Sequence, residues 1–266
     1  MTSLDLAFSP CPNDTFIFYA LLHGRVDTED LRFRSHLHDV EELNRMAFAG
    51  THDITKLSFH AYLHLRKSHE LLDSGSALGF GCGPLLIARS AGVDLARARI
   101  AIPGRYTTAY LLLRLWNPAA ANVEEARFDT IIEGVQSGRF DAGLVIHEGR
   151  FILDRFDCVT LVDLGRWWES ETGLPIPLGC IAIRKQGPGY AHKTDIERHI
   201  KQSIEYSFAS PGESRAYVKE HAKEMDDAVI DSHIGLYVND FSLSLGAEGR
   251  RAVSILEERA QWINAR

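Results

Sequence analysis

The sequence has 266 residues, of which 45% are hydrophobic and 24% charged, as is typical of a globular protein. Its formal net charge of −7 argues against a nucleic-acid-binding protein, which normally has a basic face. The first residues do not resemble a signal peptide, and no uncharged run approaches the ~20 residues needed to cross a bilayer. We therefore expect a cytoplasmic protein that binds neither nucleic acid nor membrane.

Strands and helices alternate through the first part of the chain. A short apolar strand, 4–8, precedes a strongly apolar helix, 16–22, for which Asp14 or Thr15 suits the N-cap. Further strands are predicted at 31–37, 52–57 and 85–88, and further helices at 40–48 and 58–67.

The same alternation then starts again. Strands are predicted at 99–102, 141–146, 159–164 and 179–184, with helices from Thr107 or Thr108 through 115 and over 128–137. Residues 166–172 form a turn or a short helix. The rest of the chain is almost wholly helical, with helices over 196–209, 214–221 and 249–263.

This order of elements predicts an α/β fold with mainly parallel sheets and crossover helices. Two such runs and a helical return suggest two lobes: 1–90 plus 184–266, and 91–183. That is the architecture of the type II periplasmic-binding-protein fold, in which the ligand lies in a cleft between the lobes. A single doubly wound domain is the alternative.

Ligands of parallel α/β sheets bind beyond the carboxyl ends of the strands. Polar groups are predicted there in several segments, three of which open a helix whose free N–H groups attract carboxylate or phosphate. Ser, Thr and Asp at such positions are also ordinary N-caps. The candidate ligand-binding residues are Asn13, Asp14, Lys56, Leu57, Ser58, Thr107 and Thr108.

His147 is the candidate catalytic residue. The apolar run 142–146 is typical of a buried parallel strand, and it ends in His147 and Glu148. An imidazole titrates near neutral pH and can therefore accept and return a proton. The alternative is a histidine whose ring is satisfied by a backbone carbonyl.

No metal site is expected. The four cysteines, Cys11, Cys82, Cys158 and Cys180, are widely spaced, which also argues against a disulfide framework. His36 and His38 lie on or just after a strand, and His60 and His64 lie in a segment that is not H-E-x-x-H. The glycines of 79–83 match neither G-x-G-x-x-G nor a P-loop, so nucleotide binding is unsupported.

Several segments together resemble the 1,4-dihydroxy-6-naphthoate synthases of the futalosine branch of menaquinone biosynthesis. The most specific is Ser9-Pro10-Cys11-Pro12-Asn13-Asp14-Thr15-Phe16, and the resemblance covers nearly the whole chain. The other segments are 55–58 (TKLS), 103–110 (PGRYTTAY), 146–148 (IHE), 167–169 (WWE), 173–175 (GLP) and 237–239 (YVN).

The resemblance implies a type II binding-protein-like fold and conversion of cyclic dehypoxanthine futalosine to 1,4-dihydroxy-6-naphthoate, with release of a dihydroxyacetone-type fragment. It also implies that His147 is the proton acceptor, and that the Lys56–Ser58 segment and Thr107–Thr108 contact the anionic substrate. Aromatisation of the product supplies driving force, so we expect no metal and no redox cofactor.

Two other functions stay open at this point. The first is a chorismate dehydratase, an enzyme of the same fold and pathway. The second is a binding protein that captures a small acid and catalyses nothing. A homodimer is compatible with the sequence, which does not determine the oligomeric state.

Overall fold

The apolar segments assemble into two separate β-sheets in the computed structural model, which describes residues 1–223 and 226–264, with side chains as far as residue 261. The strands are β1 Thr2–Phe8, β2 Leu31–Leu37, β3 Ile54–Ser58, β4 His69–Leu71, β5 Ala77–Gly79, β6 Leu85–Ala88, β7 Ile100–Ile102, β8 Val123–Glu125, β9 Ala142–Val145, β10 Val159–Asp163 and β11 Ile176–Arg184.

Helices cover the faces of both sheets. They are α1 Pro12–Leu22, α2 Val40–Ala49, α3 Phe59–Leu65, α4 Thr108–Trp116, α5 Ile131–Gln136, α6 Leu164–Thr172, α7 Lys193–Ala209, α8 Pro211–His221, α9 Asp227–Tyr237, α10 Asp240–Leu243 and α11 Gly246–Asn264. Short 3₁₀ turns lie at Phe128–Thr130, His147–Arg150, Leu153–Arg155 and Tyr190–His192.

The first sheet has the strand order β2-β1-β3-β11-β4, with β5 paired to β11, and the second has the order β10-β6-β9-β7-β8. Each sheet is mixed, so the expectation of mainly parallel sheets was wrong. β1 pairs in parallel with β2 and β3, whereas β11 runs antiparallel to β3, β4 and β5. In the second sheet β6 is antiparallel to both of its neighbours. The antiparallel strands include β6, with which the chain enters the second sheet, and β11, with which it returns to the first.

The two crossings come earlier in the chain than the expected boundaries at 90/91 and 183/184. β6 already pairs in the second sheet, and β11 pairs in the first. An apolar strand carries no local signal of the sheet that it will join, because its partners lie far away in sequence. Sheet membership therefore changes before Leu85 and again before Ile176.

Local sequence signals give most elements within a few residues, and β2 and β6 have the predicted bounds. Three short strands, β4, β5 and β8, were not predicted, and the start of α1 differs from the prediction. It begins at Pro12 with Cys11 as the N-cap, and not at Asp14 or Thr15. Proline at the first helical position needs no N–H partner. The Asp14 carboxylate is consequently available for the neighbouring strands.

The largest apolar cluster spans both lobes and joins Leu57 of β3 to Leu86 of β6 and Leu144 of β9. A second cluster packs α1 and α7 against the first sheet, and a third packs α5 against the second sheet. The four cysteines are free thiols. Among the described residues, no helix combines the length and the apolar character needed to span a membrane.

Two glycines allow the first crossing to pass the start of α6. A Cβ on Gly83 would lie 2.2 Å from the Cα of Gly165. The atom that it would meet belongs to the backbone, so no side chain can move aside. The close approach places Pro84 and β6 against the first turn of α6, where Leu164 N donates to Pro84 O over 3.0 Å.

We expect Gly83→Ala to lower the free energy of unfolding by about 1–3 kcal/mol, because the added methyl group overpacks a backbone contact. The matched control is Gly92→Ala, since a Cβ there meets nothing within 4 Å. Urea unfolding of the two variants checks the prediction. Equal stability of the two variants would contradict it.

Candidate functional site

A cleft between the two sheets contains all the candidate residues. His147, Asn13, Asp14, Lys56, Leu57, Ser58, Thr107 and Thr108 all line it. Its empty volume is about 700 Å³, including the open mouth. The first lobe contributes the start of α1 and the end of β3, and the second lobe contributes the start of α4 and the turn after β9. The topology thus brings together residues that are far apart in sequence.

A buried ion pair joins α1 to β3 at the floor of the cleft. Lys56 Nζ lies 2.7 Å from Asp14 Oδ1, and the two side chains are 7% and 3% exposed. Lys56 also donates to Gly75 O over 3.0 Å. Asp14 Oδ2 accepts from the backbone N–H and the hydroxyl of Ser9. Two of the three ammonium hydrogens are thus used by the protein, which leaves the third for a ligand.

The Asn13 side chain connects this ion pair to a buried histidine. Asn13 Nδ2 donates to Asp14 Oδ1 over 2.8 Å, which directs Asn13 Oδ1 towards His233 Nε2 at 2.9 Å. Burial, and then the nearby His147, lower the pKa of His233 well below its ordinary value. His233 is therefore neutral, with its hydrogen on Nε2, where it donates to Asn13.

His147 lies against this network. Its ring is parallel to that of His233, with the ring centroids 6.2 Å apart, and the edge of Phe128 packs against it. The backbone of His147 has φ +54°, a left-handed conformation that is uncommon for residues other than glycine. Such strained positions cluster at functional sites. The candidate base is half-buried and borders the cleft.

A group that could ligate a metal lies at the same place. The Cys11 thiol, a ring nitrogen of His147 and a carboxylate oxygen of Glu148 lie within 4.8 Å of one another, and they form the one such group among the described residues. Burial and the charge of Glu148 raise the pKa of the Cys11 thiol well above its ordinary value. A raised thiol pKa disfavours the thiolate that metals bind. The expectation of no metal stays a prediction.

The hydroxyls of Thr107 and Thr108, two of the predicted ligand-binding residues, donate to carbonyl groups within the protein. Thr107 Oγ1 donates to Gly104 O and caps α4 by accepting from Tyr110 N. Thr108 Oγ1 donates to Leu178 O over 2.7 Å. The backbone N–H groups of the first turn of α4, at Thr108 and Ala109, have no intrahelical partner and border the cleft. They are the stronger candidates for binding an anion.

His60 of α3 links the two lobes at the edge of the site. Its backbone N–H donates to Thr108 Oγ1, and its Nδ1 lies 3.3 Å from Thr107 O. A carbonyl only accepts, so Nδ1 carries the hydrogen. Burial, with His64 adding to it, lowers the pKa of His60 from 6.5 to about 4.

Leu57 lines the cleft and also belongs to the largest apolar cluster. The sequence interpretation missed several residues at the site: Ser9, Cys82, Tyr237, His233, Glu41 and Asn44. Ser9 and Tyr237 lie within the segments that carry the family resemblance. Glu41, Asn44 and His233 gave no local signal, because polar residues on amphipathic helices usually face solvent.

Removing one partner of the buried ion pair should destabilise the fold. We expect Lys56→Met to lower the free energy of unfolding by about 3–5 kcal/mol, because it leaves the Asp14 carboxylate buried without its cation. Lys56→Met combined with Asp14→Asn should recover part of the loss. The control is Arg97→Met, in a pair whose side chains are 90% and 65% exposed, which should change stability by about 0.5 kcal/mol or less. Urea unfolding measures all three, and no recovery in the double variant would contradict the interpretation.

The lowered pKa of His60 predicts that the protein loses stability in mild acid. Between about pH 6.5 and 4 the unfolded chain binds a proton on this residue and the folded chain does not, so stability falls as the pH falls through this window. His60→Gln keeps an amide donor for Thr107 O and removes the titration. We expect the variant to gain stability relative to the parent as the pH is lowered from 7.5 to 5, measured by urea unfolding. A constant difference across that range would show that His60 does not contribute.

The fold of this chain is that of known binding proteins. A Candida albicans protein described as having the generic periplasmic binding protein structural fold superposes with a TM-score of 0.68 at 13% identity, covering 100% of this chain and 91% of that one. The periplasmic aliphatic sulphonate binding protein of Escherichia coli superposes with a TM-score of 0.65 at 11% identity, covering 99% and 87%. The predicted two-lobed type II fold is confirmed.

Closer relatives identify the family. A crystal structure of an Archaeoglobus fulgidus protein has a TM-score of 0.91 at 34% identity, covering 99% of this chain and 98% of that one. The 1,4-dihydroxy-6-naphthoate synthase of Thermus thermophilus is 48% identical over 98% of this chain and 95% of its own length. The enzyme of the same name from Streptomyces coelicolor is 42% identical, over 97% and 93%. A family described as menaquinone biosynthesis matches residues 4–261, and the chain belongs to that family.

Proposed function

We propose that this protein is a lyase that converts cyclic dehypoxanthine futalosine to 1,4-dihydroxy-6-naphthoate and releases a dihydroxyacetone-type fragment. The observation that carries the proposal is that His147 shares one cleft with Lys56, Ser58 and the first turn of α4, in a chain of the menaquinone-biosynthesis family. A chorismate dehydratase and a non-catalytic binding protein are the two alternatives, and assays of substrate conversion distinguish them.

The cleft suits a substrate that carries a carboxylate and several hydroxyl groups. The N–H groups of Thr108 and Ala109 point out of a helix N-terminus, where the helix dipole favours negative charge. Lys56 offers one ammonium hydrogen, and the paired Asp14 limits the net positive charge of the floor. Apolar residues line much of the remaining wall, among them Leu43, Pro84 and Ile146, and these suit the flat ring of the substrate.

His147 is proposed to begin the reaction by removing a proton from substrate carbon. The neutral imidazole is the base, and it becomes an imidazolium beside the Glu148 carboxyl group. The negative charge moves to a substrate oxygen as an enolate, which the N–H donors of the cleft stabilise. Cleavage of the carbon–carbon bond then releases the fragment, and the imidazolium returns its proton to a product atom.

The proposal includes neither metal nor redox cofactor. Proton transfer and carbon–carbon cleavage leave the electron count of the substrate unchanged, and aromatisation of the second ring supplies driving force. We also propose a cytoplasmic enzyme, which free thiols suit because disulfides rarely persist in that compartment. Assembly as a homodimer remains part of the hypothesis.

Conversion of substrate by the purified protein tests this function directly. We expect cyclic dehypoxanthine futalosine to yield 1,4-dihydroxy-6-naphthoate, detected by chromatography and mass spectrometry. Loss of chorismate without formation of naphthoate would indicate the dehydratase instead. Binding of substrate without turnover would indicate a binding protein.

The test of the base is His147→Asn, because asparagine tolerates the left-handed backbone at this position. We expect kcat to fall by at least ~100-fold, with substrate affinity in calorimetry largely retained. His192→Asn, in a short turn between β11 and α7, is the control and should keep the parental rate. A rate near that of the parent in His147→Asn would exclude His147 as the base.

A further inference from the structure

Asn44 forms hydrogen bonds with both the backbone and the side chain of Ser58. Asn44 Oδ1 accepts from Ser58 N over 2.9 Å, and Asn44 Nδ2 donates to Ser58 Oγ over 3.2 Å. The amide orientation is fixed, since the backbone N–H can only donate and must face Oδ1. Asn44 is fully buried in α2.

These bonds determine which way the Ser58 hydroxyl can act. Its oxygen already accepts a hydrogen from Asn44. Among the described residues, no acceptor takes the hydroxyl hydrogen, and Ser58 makes no side-chain capping bond to α3. The hydroxyl borders the cleft, so its hydrogen is available to a substrate oxygen. Ser58 is therefore set as a donor, in contrast to Thr107 and Thr108.

Glu41 connects this arrangement to the other lobe. Asn44 Nδ2 donates to Glu41 Oε2 over 3.1 Å. Tyr106 N, from the loop that precedes α4, donates to both oxygens of the same carboxylate at 3.2 and 3.3 Å. Glu41 is 7% exposed, although it lies on a surface helix. One buried carboxylate thus accepts from both lobes.

The contact between the lobes is close at this point. A Cβ on Gly104 would lie 2.3 Å from Glu41 Cδ, so only glycine allows the loop to approach the carboxylate. Beside it, Arg45 Nη2 lies 2.6 Å from Glu125 Oε2, and the rings of Phe48 and Tyr106 pack with centroids 4.5 Å apart. Glu41, Arg45 and Phe48 of α2 thus form a continuous contact with the second lobe.

We propose that Glu41 and Asn44 are positioning residues that make the Ser58 hydroxyl a hydrogen-bond donor to the substrate when the two lobes are in contact. The chain of bonds runs from Tyr106 N through Glu41 and Asn44 to Ser58. Glu41 accepts from Asn44 Nδ2, and this bond supports the orientation that Ser58 N imposes on the Asn44 amide. This inference deepens the proposed function, because it assumes that the substrate occupies the cleft.

Asn44→Asp removes the donor of this chain while conserving shape. In the variant both oxygens of the substituted side chain accept, and one of them still accepts from Ser58 N. The other oxygen faces Ser58 Oγ and the Glu41 carboxyl group, and two adjacent carboxyl groups share a proton. The Ser58 hydroxyl then donates to that oxygen in place of the substrate.

We expect Asn44→Asp to raise KM about 10-fold, the effect of losing one hydrogen bond to a charged group, with kcat within about threefold of the parent. The control is Glu42→Gln, whose side chain is 53% exposed and contacts His38, and its KM should stay within about twofold. In a Ser58→Ala background Asn44→Asp should raise KM by less than about twofold. An equal effect of Asn44→Asp with and without Ser58 would overturn the inference.

Amide hydrogen exchange of the substrate-free protein gives a second measurement. Exchange at Ser58 should become about 10-fold faster in Asn44→Ala, which leaves Ser58 N without this acceptor, while Asn44→Asp keeps the protection of Ser58. Asn44→Ala also serves if Asn44→Asp does not fold. Unchanged Ser58 exchange in Asn44→Ala would refute the inference. Absence of turnover in the parent would refute only the proposed function, because the exchange measurement needs no substrate.

Discussion

The buried ion pair of Lys56 and Asp14 is the interaction on which the arrangement of the cleft depends. Two charges taken out of water are tolerated only where further hydrogen bonds satisfy them. Ser9, Asn13 and Gly75 supply those bonds. The start of α1 and the end of β3 are thereby held together at the edge of the first sheet. Because Asn13 also accepts from His233, the same pair determines what packs behind His147.

The two lobes contribute different chemistry to the cleft. The first lobe supplies side-chain donors with fixed direction, at Lys56 and Ser58. The second lobe supplies the base, His147, and backbone N–H groups of α4. His147 and the α4 N–H groups face the Lys56 and Ser58 donors only because the two lobes border one cleft. The contacts between the lobes at Glu41 and His60 therefore belong to the site as well as to the fold.

The hydroxyl groups of Thr107, Thr108 and Ser58 differ in whether their hydrogen is already donated within the protein. Thr107 and Thr108 donate to carbonyl groups within the protein, so their part in binding passes to the backbone of the same turn. Ser58 accepts from Asn44 and keeps its hydrogen for the cleft. These three residues look equivalent in the sequence, since each is a hydroxyl at the start of a helix. Only the positions of their partners distinguish them.

Local patterns in the sequence predicted most of the elements, the α/β class of the fold and eight of the residues that line the cleft. Period-2 and period-3.6 patterns are local, and the strands that precede the predicted site residues, β1 with β3 and β7 with β9, pair in parallel. Long-range contacts, by contrast, set which strands are antiparallel, where the chain crosses between sheets, and which hydroxyl has no acceptor among the described residues. It also revealed Glu41, Asn44 and His233 as buried partners of the site. Each of these outcomes depends on contacts between residues far apart in sequence, and no local pattern of residue types indicates such contacts.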